Sequence, residues 1–126
     1  MANKFNAKRT VGFDSKREAK VYDELRIKEL AAEISDLKRL DRYKDYFVLQ
    51  EGFHHKNAFI VSKNGTKAMP KIREIKYTAD FTYLDKMGKM VVVEIKGKAT
   101  AKEPAYVLRK KLFLKQNPDI IFIEWF

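Results

Sequence analysis

The sequence predicts an α/β fold, a sandwich in which helices flank a mixed sheet. Three observations predict it. An amphipathic helical pattern opens the ordered part of the chain, and two strand-like runs are separated by a short Gly-containing turn. A second helical segment then carries the chain to a last apolar strand. The order helix, strand, hairpin, helix, strand makes the second helix a crossover between parallel strands. A chain of 126 residues with 45% hydrophobic and 13% aromatic residues fits one domain with a real core.

Residues 1 to 12 lack periodicity, carry Lys4, Lys8 and Arg9, and read as a flexible basic arm, leaving 13–126 as the domain. Asp14 or Ser15 is a suitable N-cap for a helix running to about Ala32. Its apolar positions are Ala19, Tyr22, Leu25, Ile27, Leu30, Ala31 and Ile34. Ser35 to Lys44 is charged and is expected to hold a turn. Tyr46 to Leu49 reads as a short buried strand. From Glu51 to Pro70 the composition is mixed, and Asn64-Gly65 is a hairpin signal, so a two-stranded excursion or a loop is expected. Ile72 to Leu84 alternates as a strand, Lys86 to Lys89 forms a turn, and Met90 to Ile95 is a strong second strand. Gly97 ends it. Pro104 suits the first turn of a helix reaching about Gln116, Asn117-Pro118 stops that helix, and Ile120 to Trp125 is the final strand.

Charge narrows the partners. Lys and Arg total 27 against 17 Asp and Glu, a net +10, and a small domain this basic attracts polyanions, nucleic acid foremost. No stretch approaches the roughly 20 apolar residues that span a bilayer, and MANKFNAKRT lacks the apolar region of a secretory signal. A cytoplasmic, non-membrane protein is expected. The absence of cysteine excludes disulfides and thiolate sites, and the adjacent pair His54 and His55 is a poor basis for zinc.

The chemistry is read from strand alternation. In Val91-Val92-Val93-Glu94-Ile95-Lys96, Val91, Val93 and Ile95 face one side and Val92, Glu94 and Lys96 the other. An acid and an amine thus project together from an aliphatic strand, and burying them costs several kcal/mol unless they find partners. Asp80 interrupts the preceding strand, where Asp is disfavoured, and pairing about the turn brings it near Glu94. Two adjacent carboxylates repel unless a cation lies between them. With a backbone carbonyl such as that of Ile95 and water, they form a hard-oxygen set for Mg²⁺, with Mn²⁺ as a substitute. Lys96 would orient or deprotonate the attacking water, or offset phosphate charge. An ordinary Glu94–Lys96 surface ion pair is the plain alternative. Glu18 falls in line with Tyr22 and Leu25 at the first turn of the opening helix. It is either an accessory acid or the partner of Ser15 in a capping box.

These residues, set in FDSKREAKVYDEL, YTADFTYLD and VVVEIKG, resemble the PD-(D/E)XK nuclease superfamily, in particular a phage-borne branch related to Holliday-junction resolvases. The resemblance covers nearly the whole chain. It implies a restriction-endonuclease-like αβββαβ core with a mixed four-stranded sheet flanked by helices, and Mg²⁺-dependent hydrolysis leaving a 5′-phosphate. It assigns Asp80 and Glu94 to the metal, Lys96 to the water and Glu18 to an accessory role. Ala79 stands where the motif has proline, a departure that removes no chemical group.

For DNA contacts, Lys98, Arg109 and Lys110 lie around the second helix, while Arg9, Lys16 and Arg17 form a basic tether, each phosphate contact adding salt dependence. Lys102, Lys111 and Lys115 share the helix region. Tyr106 and Phe113, at helical spacing, are expected in the core. The leading expectation is a structure-selective endodeoxyribonuclease acting on branched DNA as a homodimer, since a four-way junction needs two symmetric cuts. Ser35–Tyr46 and Phe53–Val61 are its candidate dimer surfaces. The alternatives are a nuclease of the same fold acting on linear duplex, flaps or single strands, and a non-catalytic basic DNA-binding module.

Overall fold

The computed structural model describes residues 16–126. The N-terminal basic arm, with Arg9, and the Ser15 cap therefore lie outside the described residues. In chain order the elements are α1 (Lys16–Leu30), β1 (Ser35–Arg39), β2 (Phe47–Gln50), β3 (Phe53–His54), β4 (Ile60–Val61), β5 (Lys67–Ala68), β6 (Lys71–Ile72), β7 (Ile75–Tyr77), β8 (Phe81–Leu84) and β9 (Met90–Ile95). A 3-10 turn over Thr100–Lys102, α2 (Pro104–Gln116) and β10 (Ile121–Trp125) complete them.

The central sheet is four-stranded and mixed, in the order β1-β8-β9-β10. β1 and β9 are antiparallel to β8, whereas β10 runs parallel to β9, with Val92 opposite Phe122 and Glu94 opposite Glu124. The parallel pair requires a crossover, and α2 supplies it, from the Pro104 start to the Asn117 stop. No helix among the described residues is long and apolar enough to cross a membrane.

Strand alternation divides the interior into two cores. Val91, Val93 and Phe81 pack with Val21 and Leu25 of α1, joined by Ile123 and Trp125. On the opposite face Val92 packs with Tyr106 and Phe113 of α2 and with Leu49 and Tyr77 of the β2–β7 pair. The predicted facing of β9 therefore holds: its even positions look toward α2.

Three expectations need correction. The Ser35–Lys44 segment holds an edge strand as well as a turn. In β1 only Leu37 is drawn inward, while the charges face water, as suits an edge. Asp36, at φ 54°, lies in the interval where the β1–β8 register shifts. The single strand expected over Ile72–Leu84 is three strands with three different partners: β6 pairs β3, β7 pairs β2, and β8 pairs β1 and β9. The apolar phase of α1 is also shifted. Val21 is buried, whereas Ile27 and Leu30 are 66% and 77% exposed. Glu29, rather than an apolar residue, takes the inward position of the last turn, and its carboxylate accepts the Leu37 N–H at 3.0 Å.

α1 ends at Leu30, within two residues of the expected end. Glu33 N–H donates to the Lys28 carbonyl at 2.9 Å and Ala32 N–H to that of Glu29 at 3.0 Å, with Ala32 left-handed at φ 60°. This closes the final carbonyls of the helix, at a position where glycine is the usual residue.

Between β2 and β7 the chain makes one long antiparallel excursion. Its nested pairs run from Phe47–Tyr77 through Phe53–Ile72 to Val61–Lys67, ending at the predicted Asn64-Gly65 turn, where Gly65 has φ 87°.

Candidate active site at the end of β9

Asp80 sits at the break between β7 and β8, where two strands compete for its backbone. Its N–H donates to the Val93 carbonyl at 3.1 Å, and its own carbonyl accepts the Leu40 N–H at 3.1 Å. Its side chain turns toward β9, where Oδ2 accepts the Ile95 N–H at 2.7 Å. This charge-assisted bond fixes the carboxylate beside the strand. The disfavoured residue in the strand pattern is therefore the residue that stitches β8 to the end of β9.

Glu94 lies on the α2 side of β9, only 5% exposed. It receives the Tyr77 hydroxyl on Oε1, and Lys96 Nζ stands 3.7 Å from Oε2. Burial, and then the neighbouring Asp80 charge, push its carboxyl up to about 8, against the opposing influence of Tyr77 and Lys96. The two carboxyls are within hydrogen-bonding reach of one another. Tyr77 is in turn raised well above the usual phenol range, by burial first and then by Glu94, so it stays a donor.

Lys96 continues the same face one step beyond β9. Its N–H extends the ladder to the Trp125 carbonyl at 3.1 Å, and its ammonium lies 4.5 Å from the centre of the Tyr106 ring. Beneath it, Glu124 accepts Tyr106 Oη and Lys110 Nζ, both at 2.6 Å. Burial opposes ionisation of Glu124, but these two hydrogen bonds hold its carboxyl below the ordinary range. Glu124 is therefore a settled anion, whereas Glu94 is an unsettled one.

Glu94 and Lys96 open into a cleft of about 630 Å³, whose lining includes Tyr77, Glu94, Lys96, Tyr106, Arg42, Lys76 and Arg109. Four of these are cations, Lys96 and, around it, Arg42, Lys76 and Arg109. Arg109 Nε donates to the Lys76 carbonyl at 3.1 Å, tying α2 to β7 at the rim.

The other predicted residues are spread around this centre. Arg17 donates from Nη1 to the Lys96 carbonyl at 3.1 Å, which brings the first turn of α1 to the end of β9. Glu18, one residue on, is half-buried and in line with Tyr22 and Leu25, while Lys16 and Lys98 are exposed. Lys110, expected as a phosphate clamp, has its ammonium engaged by Glu124. Tyr106 and Phe113 are in the core as expected. Glu124, Arg42 and Lys76 are site residues that sequence reasoning missed, while Tyr77 could be read from sequence only as a strand residue with a candidate substrate contact. Of these, Glu124 alone had a clear signal: it interrupts the apolar run Ile120 to Trp125 in the same alternation as Glu94.

Among the described residues no group of three or more His, Cys, Asp and Glu stands together as a cation cage. Mg²⁺ does not require one, since it commonly uses one or two carboxylates and completes its shell with water and substrate oxygens. Asp80 and Glu94 fit that donor set. They are hard oxygens held close enough to repel one another, and a divalent ion between them would remove the repulsion.

The family model described as "Protein of unknown function (DUF1064)" matches residues 2–125, nearly the entire chain. No curated protein and no solved structure matches it.

Proposed function

The chain belongs to the DUF1064 family, and we propose that it is a metal-dependent endodeoxyribonuclease of the PD-(D/E)XK type with a restriction-endonuclease-like core. The observation that carries this reading is the juxtaposition of Asp80 with buried Glu94 and Lys96 at one strand end, where Glu94 and Lys96 line a cleft with a cationic rim. The order α1, β1, β8, β9, α2, β10 of the sheet and its helices supports it.

Asp80, Glu94 and the Ile95 carbonyl would hold Mg²⁺ or Mn²⁺, which when bound neutralises phosphate charge and lowers the pKa of water. Lys96 orients the attacking water and stabilises charge developing on the phosphoryl oxygens. Its ammonium sits over the Tyr106 ring beside Glu94, and both Lys96 and Tyr106 line the cleft, so the charge is held there instead of ranging over the surface. Tyr77 orients Glu94 by its hydrogen bond. Water adds to phosphorus as the bond to the 3′-oxygen breaks, leaving a 5′-phosphate. Arg109, with Arg42 and Lys76, receives the flanking phosphates. Glu18 serves as accessory acid, and Arg9, Lys16, Arg17 and Lys98 contact the DNA backbone. A homodimer cutting branched DNA symmetrically suits this assignment.

A non-cutting DNA-binding module is the competing reading. It is favoured by the fact that both Glu94 oxygens have protein neighbours, Tyr77 and Lys96. A panel of labelled four-way, flap, single-stranded and linear duplex DNA, each with Mg²⁺, Mn²⁺ or EDTA, separates the two. Metal-dependent cutting, strongest on the branched substrates, is expected. Full DNA affinity in EDTA with no cleavage under any metal would establish the binding module instead.

A further inference from the structure

The excursion from β2 to β7 is larger than any role in the site requires. Its distal strands β3, β4, β5 and β6 pack chiefly on one another, and every residue of β3, β4 and β5 is exposed. Two-stranded hairpins without a third layer are marginal in water. Yet this one displays Phe53, Phe59, Ile60, Val61 and Met69, of which Val61 is 60% exposed. Ile60 pairs with Ala68 and Val61 with Lys67, so apolar side chains lie on both faces, and neither face is turned to a core.

Charge identifies what covers them. Residues 51–76 carry six basic side chains against two acidic ones. The bases are interleaved with the apolar groups, Lys67 Nζ lying 5.5 Å from the Phe59 ring centre. A second copy of the same arm would bring like charge onto like charge and is disfavoured; a polyanion with apolar surface is not. DNA offers both, with phosphates outside and base faces or thymine methyls within. A two-stranded ribbon fits the major groove, and apolar side chains can wedge into an opened base step. The arm is also continuous with the cleft, since Glu74, Ile75, Lys76 and Tyr77 at its base line the cavity beside Glu94.

We propose that residues 53–72 form a DNA-gripping β-ribbon whose Lys63, Lys67 and Lys71 hold phosphates while Phe59 and Ile60 lie against bases exposed at an opened step. The ribbon thereby favours branched or distorted DNA over closed duplex. This shares the nucleic-acid partner of the nuclease reading but does not depend on cleavage.

The test uses the full chain in EDTA with two probes, a fluorescein-labelled four-way junction and a linear duplex of the same sequence. Affinity is read by anisotropy across a salt series. Hydrolysis of bis(p-nitrophenyl) phosphate with Mn²⁺ is read separately, because so small a diester does not need the arm. Replacing the three lysines with Gln should weaken junction binding at least tenfold and flatten the log–log salt slope by about 2 to 3. Phe59→Ser should cost about tenfold on the junction, little on the duplex, and leave the salt slope unchanged. Diester hydrolysis should be the same in all variants. Wild-type affinity and slope in the lysine variant would overturn the proposal. So would absence of DNA binding by the wild type, or a loss of self-association in the variants with DNA binding intact. If no protein hydrolyses the diester but the arm variants still lose DNA, the ribbon stands and the nuclease reading falls.

Discussion

Replacing Glu94 with Gln should make the metal-free protein more stable at neutral and alkaline pH. The side chain is 5% exposed, and burial together with Asp80 lifts its carboxyl from 4.5 to about 8. The sign follows from proton binding. Below pH 4.5 the group is protonated whether the chain is folded or not, and it costs nothing. Between 4.5 and 8 the folded chain retains a proton that the unfolded chain has lost, so stability falls as pH rises. Above 8 the full penalty applies. At 1.36 kcal/mol per unit the difference sets a ceiling of about 4–5 kcal/mol, and relaxation with water entry brings it to an order of 2–3 kcal/mol. Gln keeps an acceptor for Tyr77 without the charge. For a domain of this size 1 kcal/mol is about 3–5 °C in Tm, so the variant should melt about 10 °C above wild type at pH 8.5 and within about 2 °C of it at pH 4.5. Thermal unfolding followed by circular dichroism in EDTA across that range measures this. Added Mg²⁺ should raise the wild-type Tm at pH 8.5 and leave the variant unmoved. Parallel melting curves at every pH would refute the reasoning, for then the Glu94 carboxylate carries no folded-state penalty.

Asp80→Asn keeps an acceptor for the Ile95 N–H but removes the charge facing Glu94. The Glu94 carboxyl should then titrate lower, which ¹³C NMR of the side-chain carboxyl reads directly. Tyr77→Phe removes the hydroxyl that favours ionised Glu94. It should move the acid limb of the cleavage–pH profile upward and cost about 1–3 kcal/mol of stability. Ala32→Gly relieves a left-handed alanine at φ 60° after α1 and should stabilise the fold by up to about 1 kcal/mol in urea titration. Phe113→Ala removes a ring that is 0% exposed and packed on Phe47, Tyr77 and Phe122, and it should cost about 3–5 kcal/mol.

What could be read from sequence was what depends on local pattern. The alternation in Val91 to Lys96 set which side chains share a face, and the turn ending at Gly88 set the β8–β9 register that brings Asp80 beside Glu94. Pro104 and Asn117 bounded α2 for reasons of backbone chemistry. Features that depend on a remote partner were hidden. β1 is five residues of mostly charged sequence, and only its pairing to β8 makes it a strand. The run Ile72 to Leu84 is continuous in composition but changes partner twice, because β2 claims its middle and β9 its end. Tyr77 looked like an ordinary strand aromatic. Its role depends on β7 folding over the α2 face of the sheet, which no local signal records.

The most direct measurement is single-turnover cleavage of a labelled four-way DNA junction in Mg²⁺ by the wild type, Glu94→Gln and Lys96→Ala, with binding followed in parallel in EDTA. The expected result is cutting by the wild type alone, a loss of about a thousandfold or more in each variant, and junction affinity within a few-fold throughout. Wild-type rates in either variant, or no cutting by any of the three, would contradict the assignment of Asp80, Glu94 and Lys96 as a catalytic centre.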